Sequence, residues 1–289
     1  MEYPGIWHWK PSVFIQTLDV YIFLLYVIIL QHLLFALWGR LEIIMYRFYI
    51  DQSNIYDGNI HITGTDVNHI KNVLRLEKGD WVIACDGMGV DYTSRIADID
   101  SACIKLEICK IQESGTELGT RLVLFQGIPK GDKMEFIIQK SVELGVSVIV
   151  PVFMKRCVVK LDNEKALRKQ ERWQKVAEAA AKQSGRGIVP EVNIPVPLKE
   201  AFDIAASLEY NIIPYELQDG MVRSREIIKE ACGRKSAGIF IGPEGGFEKE
   251  EVQEAVNMGI KPVSLGKRIL RTETAGMAVL SIMMFQMQE

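Results

Sequence analysis

The sequence contains few histidines and cysteines, and their scarcity excludes several kinds of functional site. Only four histidines and five cysteines occur among its 289 residues. No histidine follows His69, so the chain beyond it has no histidine-based zinc or iron site and no histidine to activate a catalytic cysteine. The cysteines are odd in number and lack C-x-x-C spacing. This usage argues against a disulfide framework and indicates a reducing cytosol.

Common nucleotide-binding and nucleophile motifs are also absent. No G-x-G-x-x-G lies between a strand and a helix, because Gly87 and Gly89 fall at the tip of a predicted hairpin. The P-loop and the G-x-S-x-G elbow do not occur either. The sequence therefore does not support a Rossmann nucleotide site, a P-loop enzyme or an α/β-hydrolase.

The chain lacks the basic excess that is common in nucleic-acid-binding proteins. Lysine and arginine total 34 against 37 aspartates and glutamates, which gives a formal net charge of -3. An RNA-binding role therefore requires basic residues gathered on one face. Local groups do occur, although ordinary solvated charge explains each of them equally well. They are His69, Lys71, Arg75 and Lys78; Lys130 and Lys133; and Lys155, Arg156 and Lys160.

A long apolar run extends from Val20 to Trp38. Its length is close to the about 20 residues that span a bilayer, but it lacks the basic segment and the cleavage site of a signal peptide. We predict that residues 1–44 are an apolar N-terminal extension outside the native fold, since Met45 can itself serve as a start. A membrane anchor is the alternative. Either interpretation leaves the rest of the chain in the cytoplasm.

Residues 45–112 alternate short β-rich runs with turns. The pairs Asp57-Gly58 and Asp86-Gly87 are typical of hairpins. Five or six short strands in this segment predict a small β-barrel. The next segment, 113–120, is polar, contains glycine and has no periodicity, which predicts a linker.

From residue 121 onward, apolar runs of strand length alternate with helical patterns. One of these patterns predicts a long helix that ends at Gly185. The alternation predicts an α/β domain over residues 121–289, with a parallel sheet covered by helices on both sides. Ligands of such sheets bind beyond the carboxyl ends of the strands.

Two glycine-bearing turns are expected at that edge of the sheet. IGPEGGF begins at Ile241, and SLGKRILRTETA begins at Ser264. Glycine tolerates positive φ and lets a ligand approach bare backbone, and the apolar pair Ile269 and Leu270 suits an adenine ring. Taken alone, the first turn is explained equally well as the start of the acidic helix that follows it.

These motifs closely resemble the SPOUT superfamily of RNA methyltransferases, and within it the RsmE type, which methylates N3 of a uridine in 16S ribosomal RNA. The resemblance covers residues 45–289. It rests on both turns and on MYRFYI, HIKNVLRLEKGD, KGDKMEFIIQKSVELGV and EAAAKQSGR, in this order along the chain. One departure is Cys157, where the family usually has serine. We interpret it as a small change in a loop that faces RNA or a dimer partner.

The resemblance implies a PUA-like (OB-like) β-barrel, followed by a SPOUT domain in which a trefoil knot holds S-adenosyl-L-methionine (SAM). It also implies a homodimer that acts on 16S rRNA within the small ribosomal subunit or its precursor. We further expect a cytoplasmic location and no metal, and we do not expect a membrane partner. The residues expected to bind the cofactor are Ile241, Gly242, Pro243, Glu244, Gly245, Gly246, Leu265, Gly266, Ile269, Leu270, Arg271, Thr274 and Ala275. Those expected to bind RNA are Arg47, His69, Arg75, Lys78, Lys130, Lys133, Arg156, Gln183 and Arg186.

Methylation of uracil N3 requires that the N3 proton leaves and that the resulting negative charge is stabilised. No histidine lies nearby, so Glu244 and Glu273 are the candidate proton acceptors, and Arg271 or Arg186 are candidates for stabilising the base. Of these we predict Arg271, Glu273 and Arg186 as catalytic residues. A structural ion pair is an open alternative for either arginine, and helix capping is one for Glu273.

Two other functions are compatible with the sequence. One is an RNA- or ribosome-binding module that lacks catalysis, against which the two intact turns argue. The other is a SPOUT methyltransferase with a different RNA target.

Overall fold

The computed structural model describes residues 45–159, 161–215 and 220–287. The N-terminal extension predicted at residues 1–44 lies outside them, together with the apolar run that it contains. Within the described ranges, no helix has both the length and the apolar character that a membrane crossing requires.

The amino-terminal part of the described chain forms a six-stranded sheet. Its strands are β1 (Tyr46–Tyr49), β2 (Ile55–Tyr56), β3 (Asn59–Thr63), β4 (Trp81–Cys85), β5 (Val90–Ile99) and β6 (Cys103–Glu113). They lie in the order β1-β4-β5-β6-β3-β2, with β1 parallel to β4 and the other neighbours antiparallel. Both Asp-Gly pairs join antiparallel neighbours, as predicted. In the tighter hairpin, Asp57 and Gly58 take φ values of 52° and 71°.

A short helical segment crosses between β3 and β4. It begins as α1 (Thr65–Asn68) and continues as one π-helical turn from His69 to Val73. The side chain of Ile70 is fully buried in the apolar core of this sheet, together with that of Val67. Because alternate residues of β3 and β6 also point into that core, the segment closes one side of the sheet.

The carboxyl-terminal part is a seven-stranded sheet with helices on both faces. Its strands are β7 (Arg121–Gly127), β8 (Val148–Phe153), β9 (Glu191–Val192), β10 (Val196–Pro197), β11 (Tyr210–Pro214), β12 (Ser236–Ile241) and β13 (Lys261–Val263). The helices are α2 (Lys133–Glu143), α3 (Asn163–Ser184), α4 (Leu198–Ala205), α5 (Gly220–Cys232), α6 (Lys249–Asn257) and α7 (Thr272–Met287). The strands run in the order β10-β8-β7-β12-β11-β13, with β9 also beside β8, and every pair is parallel.

Successive residues of the central strands supply two separate apolar cores. In β7, Leu122 and Leu124 face the core that includes residues of α2, α3, α5 and α7. Val123 and Phe125 face the opposite core, which includes residues of α4 and α6. A strand covered on both faces consists of apolar residues without alternation, which explains the continuous run LVLF that follows the exposed Arg121. The predicted parallel sheet with helices on both faces is confirmed.

The carboxyl end of α3 contacts the six-stranded sheet. Helix α3 ends at Ser184 and is capped by Gly185, whose φ is 69°, as the sequence predicts. Just beyond it, the backbone amide of Gly89 donates to the carbonyl of Gly187 at 3.0 Å, and that of Val189 donates to Gly87 at 3.0 Å. Segment 113–120, predicted as a linker, packs at the same place through Glu117.

Candidate functional site

A cavity of about 450 Å³ lies beyond the carboxyl ends of β11, β12 and β13. Both glycine-bearing turns contribute to its wall. The predicted cofactor residues that line it are Gly245, Gly246, Leu265, Gly266, Ile269, Leu270 and Ala275. The structure therefore brings seven of the predicted residues together around one space.

The other predicted cofactor residues lie outside the cavity wall. Ile241 is buried at the end of β12, and Arg271 points away from the core as an exposed side chain. The remaining four are Gly242, Pro243, Glu244 and Thr274. They shape or flank the turns instead of lining the space between them.

Sequence reasoning missed several residues of the wall. They are Pro214, Tyr215, Phe247, Lys249, Ser264, Lys267 and Arg268, with Arg156 assigned to RNA instead. Pro214 and Tyr215 could have been found, because they end a predicted parallel strand and so lie at the edge where ligands bind. Lys249 carried no comparable signal, since it is one of many charges in an acidic helix.

Glycine is required in the first turn for two different reasons. Gly246 has a φ of 70°, and a Cβ added to it would meet nothing within 4 Å, so that position opens towards free space. Gly242 has no such φ, but its Cβ would lie 3.1 Å from the backbone of Gly246. Gly242 therefore lets the turn close on itself, and Gly246 leaves its backbone accessible.

A buried hydrogen-bond chain connects the first turn to the start of α7. The Gln126 side chain is fully buried, and its Nε2 donates to Thr272 Oγ1 at 2.8 Å. The Thr272 hydroxyl donates in turn to the carbonyl of Gly242 at 2.6 Å. These bonds hold the beginning of α7, where Arg271 and Glu273 lie, against the glycine turn.

Two glutamates and a lysine form a cluster beside that junction. Lys133 Nζ lies 3.0 Å from Glu244 Oε1 and 3.9 Å from Glu273 Oε2. Glu273 Oε2 is buried and accepts no hydrogen bond within the described part of the chain. Lys133, predicted to bind RNA, is thus engaged with the two candidate proton acceptors.

The environment of Glu244 favours its ionised form. Desolvation raises the pKa of this carboxyl, but hydrogen bonds from its own backbone amide, the Lys133 ammonium and the Lys130 amide outweigh it. The pKa of Glu244 is therefore held below its usual range. A carboxylate stabilised by three donors is a poor proton acceptor, so Glu273 is the better placed of the two.

Two arginines of the predicted RNA-binding set are used inside the protein. Arg186 is buried, and it pairs with Glu117 and donates to the carbonyls of Val142 and Val146. Arg47 makes two hydrogen bonds, at 2.8 and 2.7 Å, to the buried carboxylate of Asp91. For both, the geometry matches a structural ion pair instead of an RNA contact, and Arg186 does not line the cavity.

Other predicted RNA-binding residues are exposed. They are His69, Arg75, Lys78, Lys130 and Gln183. Arg156 is also partly exposed, but its guanidinium is bound to Glu248 and Gly245. Cys157, in the loop interpreted as facing RNA or a dimer partner, is half-buried and packs on an apolar core, and burial raises the pKa of its thiol. In the described ranges, no cluster of three or more His, Cys, Asp or Glu side chains could hold a metal ion.

Comparison with known proteins identifies two matching domain families along the chain. Residues 116–284 match the RNA methyltransferase domain, and residues 62–109 match the RNA methyltransferase PUA domain. The chain is 34% identical over 228 residues to ribosomal RNA small subunit methyltransferase E of Bacillus subtilis, covering 78% of this chain and 89% of that protein.

Solved structures resemble the chain over a similar extent. One is a ribosomal RNA small subunit methyltransferase E from Neisseria gonorrhoeae bound to S-adenosyl methionine. It has 34% identity and a TM-score of 0.68, covering 83% of this chain and 96% of that one. Another is a methyltransferase from Legionella pneumophila in complex with SAM, with 31% identity and a TM-score of 0.68, covering 83% and 96% of the two chains.

A parallel α/β sheet with a cavity at its carboxyl edge, together with the matches to an RNA methyltransferase domain and to its PUA domain, defines an RNA-modifying enzyme. The chain belongs to the RNA methyltransferase family that includes ribosomal RNA small subunit methyltransferase E.

Proposed function

We propose that this chain is a SAM-dependent methyltransferase that modifies N3 of a uridine in the decoding region of 16S rRNA, in the cytoplasm. The observation that carries the proposal is the cavity formed by both glycine turns at the carboxyl edge of the sheet. Family membership and the names of the relatives support the reaction and the ribosomal substrate. The choice of N3 follows from the RsmE-type motifs.

The cavity fits SAM in size and in chemistry. Its volume of about 450 Å³ lies within the range of about 300–1,000 Å³ that is common for small-molecule sites. Leu265 and Leu270 offer apolar contacts for adenine, and the cations Lys249 and Lys267 suit the methionine carboxylate. The open backbone at Gly246 allows close approach. When bound, SAM supplies the electrophilic methyl group.

A transfer assay tests this function directly. Purified protein should move a labelled methyl group from SAM to 16S rRNA, presented as small ribosomal subunits, as a precursor particle or as free rRNA. If the protein binds SAM but methylates none of the three substrates, its function is that of a binding module or of a methyltransferase with another RNA target.

We infer that Glu273 accepts the N3 proton and that Arg271 stabilises the negative charge left on the base. Glu273 has a buried carboxylate oxygen with no donor in the described ranges, so it can take up a proton without losing a hydrogen bond. Arg271 is exposed and makes no ion pair within the described residues, so its guanidinium is available to the base. The Lys133 ammonium is held by its ion pair with Glu244 and lies beside the Glu273 carboxylate.

Replacing Glu273 with glutamine should lower kcat by at least about 100-fold, because the amide cannot accept the N3 proton. SAM affinity should stay within about twofold, since Glu273 does not line the cavity. The measurement is single-turnover methyl transfer together with calorimetric SAM binding. Glu250→Gln is the matched control, as Glu250 is an exposed carboxylate of α6. Unchanged kcat in Glu273→Gln would remove Glu273 from the proton-accepting role.

We also infer that the family's tertiary and quaternary features occur in this chain. The six-stranded sheet would close as a PUA-like barrel within 45–112, and segment 113–120 would lead into a knotted domain over 121–289. Two register shifts in β5, after Thr93 and after Ile96, support curvature of that sheet.

A homodimer is supported by the outer face of α7. This helix is apolar on nearly all sides, and Ile282 and Phe285 leave 42% and 78% of their surface exposed. Phe136 of the neighbouring α2 adds another exposed aromatic side chain. A helix that is apolar all round is normally buried, so we propose that a second copy covers α2 and α7, and that RNA contacts both subunits.

The proposed RNA surface includes His69, Arg75 and Lys78, which lie in or just after the helical segment between β3 and β4. Lys130 and Gln183 of the carboxyl-terminal α/β domain complete it. Arg75 is the member that tests it best, because it is exposed and makes no ion pair in the described ranges. Arg75→Ala should weaken RNA binding and reduce the slope of log affinity against log salt by about one unit, since one phosphate contact is lost. Arg75→Lys should retain the slope. Equal slopes for Arg75→Ala and the unmodified protein would move the RNA surface elsewhere.

A further inference from the structure

The loop after β8 is joined to the start of α6, just beyond the first glycine turn, through the buried carboxylate of Glu251. The backbone amide of Lys155 donates to Glu251 Oε1 at 2.8 Å, and Glu251 Oε2 accepts from the amide of Glu248 at 2.8 Å. Glu251 itself is almost fully buried. This loop and the first turn of α6 therefore form one rigid unit next to the cavity.

Arg156 extends from this unit across the glycine turn. Its Nη1 donates to the carbonyl of Gly245 at 2.6 Å, and its Nε and Nη2 donate to the two carboxylate oxygens of Glu248 at 2.9 and 3.2 Å. A Cβ on Gly245 would lie 3.1 Å from the Arg156 side chain, so the glycine is needed for this approach. The planar guanidinium thus connects both ends of segment 245–248.

The charges around Arg156 argue against its predicted contact with an RNA phosphate. Three of its N–H groups are already used, and its positive charge is offset by Glu248. The Arg156 hydrogen bonds lower the pKa of the Glu248 carboxyl, which therefore stays ionised at neutral pH. A phosphate would have to compete with a paired carboxylate, so little net attraction remains.

We propose that Arg156 is a positioning residue for the cofactor, which holds the Gly245 carbonyl and the backbone of Gly246 in the shape that accepts SAM. The inference rests on the proposed function, because it assumes that SAM occupies this cavity. Arg156 lines the same cavity, so a shift of its guanidinium changes the wall directly. Lysine cannot replace it, because an ammonium cannot bind a carboxylate with two parallel bonds and a carbonyl at the same time.

Calorimetry with SAM tests the proposal on the full chain. Arg156→Ala should raise the Kd for SAM by about tenfold, as the loss of hydrogen bonds from a charged group predicts. The KM for SAM should rise similarly, with kcat nearly unchanged at saturating SAM, whereas a merely structural role would not separate the two constants. Arg156→Lys should recover only part of the affinity. Arg168→Ala is the matched control, because Arg168 is an exposed arginine paired with Glu164 on α3.

A double-mutant cycle of Arg156→Ala and Glu248→Gln distinguishes a positioning role of Arg156 from a contact between Arg156 and RNA. If Arg156 acts through Glu248 and Gly245, the double variant should bind SAM no more weakly than Arg156→Ala, and the salt slope of RNA binding should not change. If Arg156→Ala does not fold, Arg156→Lys and Glu248→Gln carry the test. Unchanged SAM affinity with a flatter RNA salt slope would overturn the proposal in favour of an RNA contact. Absence of SAM binding by the unmodified protein would instead refute the proposed function.

Discussion

A valine at Gly246 is expected to raise the Kd for SAM by roughly 100-fold or more. Gly246 has a φ of 70°, where a β-branched residue is strained by about 1–3 kcal/mol. Apart from its chain neighbours, no described residue lies within 4 Å of the position that the new Cβ would occupy, and Gly246 lines the cavity, so the side chain would also fill cofactor space. Calorimetric titration of SAM into the folded variant measures the effect.

Gly259→Val is the matched control for this substitution. Gly259 has a φ of 84° and also has nothing within 4 Å of its added Cβ, but it lies between α6 and β13 and does not line the SAM cavity. The Gly259→Val substitution should therefore impose similar backbone strain while leaving SAM affinity unchanged. Equal affinity in both variants would show that Gly246 is not part of the cofactor site.

Arg186→Met is expected to lower the free energy of unfolding by about 3–5 kcal/mol, which is the usual effect of breaking a buried ion pair from one side. The guanidinium of Arg186 pairs with Glu117 and donates to two carbonyls, so its removal takes away the arginine donors of the Val146 carbonyl and of Glu117 Oε2. Urea denaturation, monitored by circular dichroism, measures the change in the free energy of unfolding. A loss under about 1 kcal/mol would mean that the pair contributes no more than a surface ion pair.

The pH dependence of stability provides an independent check on this pair. Burial raises the pKa of the Glu117 carboxyl, but the hydrogen bonds and charge of Arg186 outweigh it and hold the pKa below its usual value. The resulting stabilisation is present above the pKa of the unfolded carboxyl and is lost as the pH falls through the lower folded value. On acidification, the unmodified protein should therefore lose stability more steeply than the double variant Glu117→Gln/Arg186→Met, which lacks the ion pair. Arg168→Met, which removes an exposed arginine, should change neither property.

Long elements were predictable because they carry a strong periodic or continuous apolar signal. The continuous run of β7 requires burial on both faces, and α3 has a helical apolar face and a glycine cap. The two-residue strands β9 and β10 were missed, because two residues cannot show a period. Their pairing is set by neighbouring strands and is invisible in the local sequence.

The glycine turns were predictable, whereas the roles of the arginines were not. Glycine after a strand indicates a local need for a positive φ, and Gly246 and Gly266 do have positive φ. The role of an arginine depends on a partner that is distant in sequence. Arg156 binds a carboxylate 92 positions away, and Arg186 binds one 69 positions away. Nothing in the local charge pattern separates such residues from an exposed cation like Arg75.

The most direct test of the central claim is nucleoside mass spectrometry of 16S rRNA from a strain that lacks this protein. We expect that a 3-methyluridine present in the parent strain disappears, and that the unmodified protein restores it whereas Glu273→Gln does not. Unchanged 3-methyluridine in 16S rRNA after the deletion would contradict the proposed methylation of N3 by this protein.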